Sequence, residues 1–283
     1  MTVFLIAIIA IGWVFSYIYN DQAILFFAVI ISIVTSFIGY FSSDKIALSM
    51  AHATQIEEKD NPELYHIVEN LAITAGLPMP KVYITPEMQI NAFATGRDPK
   101  HASVAVTAGA LRRLTRTELE GVLAHELSHV GNRDILVSTV TVVFAGIISL
   151  VSDFFLRSMF FRGFGSRNNR EGGEAGAIFL LIGIALSILA PIGALLIQLA
   201  ISRHRESLAD ESGVLLTRYP EGLIDALEKI KMDTVPMVTA KDSTAHLWID
   251  NPFKGQQVSW WHKLFMTHPP IDERIAALRG MKI

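Results

Sequence analysis

The chain has 283 residues, 51% of them hydrophobic, with 24 lysines and arginines against 27 acids and a net charge of −3. That balance leaves no basic footprint for nucleic acid, and the absence of cysteine rules out a disulfide framework. The mean hydropathy of +0.39 is concentrated in four long apolar runs, which makes this an integral membrane protein rather than a soluble domain of the same size.

The first two runs, Thr2–Tyr19 and Ala23–Phe41, carry no charge. Each is long enough to cross about 30 Å of hydrocarbon as a helix. Joined only through Asn20, Asp21 and Gln22, they predict a tight transmembrane hairpin with both outer ends on one side. Thr2–Tyr19 lacks the basic n-region of a cleaved signal peptide and leads straight into a second span. After Phe41 the chain turns polar. Asn61 and Pro62 read as N-cap and first residue of a helix through Ala75, with Leu64, Ile67, Val68 and Leu71 as its buried stripe and Gly76 as its stop. Short β-like runs follow at Lys81–Thr85, Met88–Thr95 and Ala102–Thr107, punctuated by Pro86, Gly96 and Asp98-Pro99. They predict a small sheet with Asn91-Ala92-Phe93 in its edge strand, where an extended peptide can pair by β-augmentation. An ordinary hairpin with a surface Asn91 fits the same spacing.

Next comes a helix with a marked start. Thr115 and Glu118 form a T-x-x-E capping box, Leu119, Val122, Leu123, Leu127 and Val130 recur at helical spacing, and Gly131 supplies an end or kink. This helix carries His125-Glu126-Leu127-Ser128-His129, the pattern H-E-x-x-H. Residues four apart differ by about 40° around a helix axis, so His125 and His129 project from one face and can hold one metal ion. Glu126 is adjacent, placed to draw a proton from water without ligating the metal. Taken alone, two histidines at this spacing also fit a solvated or core-satisfied pair.

Asn132-Arg133-Asp134 leads into the third apolar run, Leu136–Leu156, whose single charge is Asp153 near its far end. His129 precedes Leu136 by seven residues, about 10 Å along a helix, which puts the metal near the membrane face. The loop Arg157–Gly176 is rich in Gly, Asn and charge and has no chemistry of its own. The fourth run, Ala177–Ile201, returns the chain to the side it left, so Ser202–Asp210 rejoins the paired histidines. Glu206 and Asp210 are again four apart. A catalytic zinc site needs a third protein ligand and an open position for water. Glu206 can be that ligand and Asp210 can orient an imidazole through its other nitrogen, with His204, His246, His262 and His268 as competitors. Pro220 starts an amphipathic helix through Leu223, Ile224, Ala226, Leu227 and Ile230, and Asp272–Ile275 begins a last one.

The ordered set Asn91–Gly96, His125–Asp134, Ser202–Asp210 and Thr267-His268-Pro269-Pro270…Glu273-Arg274-Ile275 resembles the HtpX-like membrane zinc endopeptidases, relatives of the CAAX prenyl proteases. The resemblance spans nearly the whole chain. It implies a mainly α fold with a small β-sheet, in which multi-pass transmembrane helices accompany a zincin-like metalloprotease domain. By position it implies His125, His129 and Glu206 as ligands of one Zn²⁺, Glu126 as general base, Asp210 supporting a histidine ligand, and Asn91 with the Ala92 backbone aligning substrate. His268 matches the family's His-Pro motif without an assigned role. The implied organisation is an N-terminal hairpin over 1–41, the first half of the protease domain over 42–135, a second hairpin over 136–201, and the second half of the protease over 202–283. The implied setting is a prokaryotic cell membrane with the catalytic part facing the cytoplasm, acting on misfolded membrane proteins or other unfolded polypeptides. Arg157, Arg162, Arg167 and Arg170 run against the positive-inside bias in that orientation, while Lys45, Arg116, Arg133, Arg203 and Arg205 follow it. Two other classes compete: a catalytically silent membrane scaffold with a structural metal site, and an ion transporter. The second is set aside because the span interiors lack ionisable groups.

Overall fold

A computed structural model describes residues 2–141, 143, 183, 203–239, 244–254 and 269–281. The chain divides into two compact units, 1–41 with 143–196 and 42–142 with 197–283.

In the first unit, helices α1 (Thr2–Tyr19) and α2 (Gln22–Phe41) form a hairpin. Asn20 turns the chain in a left-handed conformation (φ 51°), and the Asp21 carboxylate caps α2 by accepting the Ala23 N–H at 2.9 Å. The helices approach closely at Gly12, where a Cβ would meet that of Ala28 at 2.1 Å, so a small residue here lets the two backbones touch. Among the described residues α2 alone is long and apolar enough to cross a membrane, with a mean hydropathy of 2.4 and 11% of its apolar window buried. Phe26, Phe27, Ile31, Ile33 and Phe37 all point outward. An apolar helix left this bare matches lipid rather than water as its solvent. Most of the expected third run and nearly all of the fourth, with the loop between them, lie outside the described residues.

The second unit begins with α3 (Ser43–Met50), then β1 (Thr54–Ile56), α4 (Pro62–Thr74), β2 (Lys81–Thr85), β3 (Ala92–Gly96) and β4 (Ala102–Thr107). Asn61 caps α4 by accepting the Leu64 N–H at 3.1 Å, and Gly76 (φ 66°) ends the turn after it. The strands form one mixed sheet in the order β1-β2-β4-β3, with β2 and β4 parallel and the other two pairs antiparallel. After α5 (Ala108–Arg113) comes α6 (Arg116–Gly131); α7 (Arg203–Thr217), α8 (Pro220–Met232) and α9 (Ile271–Arg279) complete the labelled elements. On one sheet face Val82, Ala92, Ala94, Val104 and Val106 join a core with α4, α6 and α8. On the other, Phe93 and Ala105 meet Ala47 and Leu48 of α3 and the later Met237, Leu247 and Trp248.

Two sequence expectations need correction. β1 was not anticipated. The strand expected over Met88–Thr95 starts only at Ala92, because the preceding alternation serves another partner. Glu87 accepts the N–H groups of Val238 and Thr239 at 2.9 and 2.8 Å, Gln89 donates to the Asn251 carbonyl at 3.0 Å, and the Ile90 N–H donates to Asp233 at 2.7 Å. Buried side chains and one amide thus tie 87–91 to the segment after α8, while Thr107 at the end of β4 bonds the Gln89 and Asn91 carbonyls.

Asp233 anchors that tie. Its buried carboxylate accepts from Ile90, from Val235 and from both terminal nitrogens of Arg113. Burial opposes its charge, but these donors win and hold its pKa below the ordinary carboxylate value. Since the folded value lies below the unfolded one, the carboxylate stabilises the fold above the unfolded pKa, near 4. That contribution is lost as pH falls through the folded value. Asp233→Asn is expected to cost about 2 kcal/mol at pH 7 and to flatten the fall in stability below pH 4, as checked by chemical unfolding across pH.

Candidate metal centre

The site is built on α6. Both halves of its capping box are present: the Thr115 hydroxyl accepts the Glu118 N–H at 3.4 Å and Glu118 accepts the Thr115 N–H at 2.6 Å. Two orphan donors are thereby satisfied at the helix start. From Glu118 to Val130 nearly every side chain is buried, so the helix runs through the core and its polar residues are held in place. Helix α7 crosses it at Gly213, where a Cβ would lie 2.9 Å from the backbone nitrogen of His125. Only a residue without a side chain permits that approach. It brings Glu206 and Asp210, two turns and one turn before Gly213, over the α6 histidines.

The Nε2 atoms of His125 and His129 are 3.3 Å apart. Glu206 places Oε2 3.7 Å from the first and Oε1 3.6 Å from the second. These contacts use different Glu206 oxygens; with one donor atom from each residue the three lie within 4.8 Å of one another, somewhat looser than the roughly 3.4 Å between donors on one tetrahedral zinc. Among the described residues they are the group of His, Asp and Glu donors able to hold a metal. His125 and Glu206 are almost fully buried, whereas the His129 side chain is 16% exposed.

Each ring is held from behind. His125 Nδ1 lies 2.9 Å from Asp210 Oδ1, and His129 Nδ1 lies 3.3 Å from Asp134 Oδ2. A neutral ring that donates Nδ1–H to a carboxylate in this way presents its Nε2 lone pair on the opposite side. Arg274 of α9, itself buried, clamps Asp210 through Nε at 2.9 Å and Nη2 at 2.6 Å. Burial disfavours the Asp210 charge, but the Arg274 guanidinium and the bond from His125 overcome it and hold its pKa well below the carboxylate range. Burial also works against a charged His129, yet its bond to Asp134 and the charges of Glu206 and Glu126 push it up to about 9. The chamber is therefore electronegative and favours a cation. Glu126, also buried, accepts the Ala94 N–H of β3 at 2.8 Å, which turns its carboxylate toward the sheet edge.

Residues 58–282 match the model of peptidase family M48. The chain belongs to peptidase family M48. It is 47% identical over 285 residues to a protease HtpX homolog of Caldanaerobacter subterraneus subsp. tengcongensis, covering 100% of this chain and 93% of that one. With a protease HtpX homolog of Thermoanaerobacter pseudethanolicus it shares 48% over 281 residues, covering 98% and 92% of the two chains. Its fold is similar to that in the crystal structure of S. mikatae Ste24p, with a TM-score of 0.52 at 20% identity. The match covers 95% of this chain and 62% of Ste24p, so the chain spans less than two thirds of that protein's length. M48 peptidases are zinc metalloproteases, and this chain is accordingly a membrane metalloprotease that hydrolyses peptide bonds in peptide or protein substrates.

Against this M48 frame, the competing histidines separate clearly. His204 is exposed, and His246 is buried with Nε2 2.9 Å from the Ser138 carbonyl, so neither lies with the pair. His262 and His268 fall outside the described residues. β3 is an edge strand of the sheet, but its outer edge is not bare. The Asn91 carbonyl accepts the Thr107 N–H, so Ala92, Ala94 and Gly96 face away from β4. The Ala92 carbonyl accepts the Ile249 N–H at 3.2 Å, and the Gly96 N–H donates to Thr139. Asn91 is buried rather than on the surface. Its amide donates to Gln89 and to the Asp250 carbonyl, and its oxygen accepts from Ala92 and Asp250. Trp248 packs edge-on against Phe93, ring centroids 4.7 Å apart, and fixes this covering segment. Sequence reasoning missed Arg274, read only as part of a helix start, and Asp134, read only as part of a motif.

Proposed function

We propose that this M48 peptidase is a multi-pass membrane endopeptidase in which His125, His129 and Glu206 bind one zinc ion per chain and Glu126 is the general base. The observation that carries the reading is the gathering of one donor atom each from His125, His129 and Glu206 within 4.8 Å of one another, with the buried Glu126 next to His125 on the same helix. Zinc supplies a Lewis acid that polarises a scissile carbonyl and lowers the pKa of water to about 7. Glu126 takes the proton of the attacking water and delivers it to the leaving amine. Asp210 holds His125 in the tautomer that presents Nε2, and Arg274 keeps Asp210 ionised. An extended substrate aligns along the outer edge of β3 through Asn91 and the Ala92 backbone, taking the carbonyl now bonded to Ile249. The Ala94 N–H keeps Glu126 turned toward that strand.

The bare apolar surface of α2 and the long apolar runs on either side of the metal helix, charged only at Asp153, support two transmembrane hairpins, over 1–41 and 136–201, with the protease divided between 42–135 and 202–283. We assign the catalytic part to the cytoplasmic side of a prokaryotic cell membrane. Its substrates are then misfolded or damaged membrane proteins and other unfolded polypeptides, a quality-control role. The competing scaffold reading has no use for Glu126, since a structural site closes with four protein ligands.

The test uses full-length protein in detergent with a denatured polypeptide as substrate. Stripping zinc with a chelator should abolish cleavage, and activity should return in proportion to added zinc up to one equivalent per chain. Cleavage that survives complete removal of metal contradicts the reading, and a fully loaded but inert protein favours the scaffold.

A further inference from the structure

The two histidines of the centre are held from behind in different ways. Asp210 reaches His125 from another helix, 85 positions along the chain, whereas Asp134 reaches His129 from the end of the same helix. That end is a Schellman turn: the Asp134 N–H donates to the His129 carbonyl at 3.0 Å and the Arg133 N–H to the Val130 carbonyl at 3.2 Å. Arg133 closes it at φ 62°, in the left-handed region where glycine is the usual occupant. In such turns the two side chains joined by the outer hydrogen bond normally make an apolar contact. Here they are an imidazole and a carboxylate, with Nδ1 and Oδ2 3.3 Å apart. Asp134 is buried, and its second oxygen lies 3.7 Å from Nη1 of Arg205, the neighbour of Glu206 on α7.

From this arrangement we propose that Asp134 is a positioning residue of the metal centre, fixing the His129 ring through Nδ1 so that Nε2 faces the ion. The inference rests on reading His129 as a ligand. Because the backbone turn sets the contact, the ring is oriented by α6 and its own turn, without help from α7. Arg205 then ties the same carboxylate to the helix that carries the third donor. The bland alternative is that Asp134 only starts the helical residues from 135 onward, where its carbonyl accepts the Val137 and Ser138 N–H groups.

The decisive experiment measures zinc affinity of the full-length protein in detergent by chelator competition, alongside the absorption spectrum of the cobalt-substituted protein. Asp134→Ala should weaken zinc binding about 10–100-fold and alter the cobalt spectrum. Asp134→Asn, whose amide oxygen still accepts from Nδ1–H, should recover part of the loss. Arg133→Gly, which preserves the turn, should bind like wild type. A merely structural Asp134 would instead lower the melting temperature with zinc affinity within threefold of wild type, and that result overturns the proposal. Glu206→Ala, measured in parallel, separates the two levels: if it too keeps wild-type affinity, the ligand reading itself has failed.

Discussion

Glu126→Gln is expected to retain one zinc per chain and to lower kcat/KM by about three orders of magnitude, within the range for loss of a positioned general base. The amide is nearly isosteric and its oxygen can still accept the Ala94 N–H, so the sheet edge and the buried packing around α6 stay as they are. What disappears is the ability to take a proton and return it. The loss should fall on kcat rather than KM, because Glu126 is assigned to proton transfer and not to substrate alignment. Metal analysis and steady-state cleavage on one preparation check both halves. Cleavage within tenfold of wild type would contradict Glu126 as the base.

Glu206→Ala is expected to lose the metal instead. Structural zinc sites gain about 10–16 kcal/mol from four ligands, roughly 3 kcal/mol each, so removing one should weaken binding more than a hundredfold. The two imidazoles at 3.3 Å would remain, but neither His204 nor His246 is placed to replace the carboxylate. The metal-free variant should melt near metal-free wild type, because Glu206 crowds a chamber already rich in negative charge. Equilibrium dialysis against buffered zinc, with melting curves of both stripped proteins, makes the check. Full zinc occupancy in the variant at wild-type affinity would remove Glu206 from the site.

The parts of this molecule that were legible in its sequence are those set by local rules. The capping box of Thr115 and Glu118, the Asn61-Pro62 start of α4 and the strands at Lys81–Thr85 and Ala102–Thr107 all depend on near neighbours. Glu206, expected as the third donor, lies with the paired histidines, and its i to i+4 spacing to Asp210 was the local sign of it. Other features depend on distant partners and leave little local signal. The stretch Glu87–Asn91 looks like a strand because polar and apolar residues alternate along it, yet its polar members serve Val238, Thr239, Asp250 and Asn251. The cover on the Ala92 carbonyl is a main-chain bond from Ile249, which no residue type announces. Arg274 could be found only by asking what neutralises a buried Asp210, and Asp134 only by noticing that a helix end closed by a left-handed Arg133 places it beside His129.

The central claim is that two imidazoles and one carboxylate share a single zinc ion. X-ray absorption at the zinc edge of the purified, fully loaded protein tests it directly. The account predicts a shell of light atoms at about 2.0–2.1 Å, whose multiple scattering corresponds to two imidazoles with oxygen donors completing the site. A shell with three or more imidazoles would show that another histidine stands where Glu206 is placed, and would contradict the account.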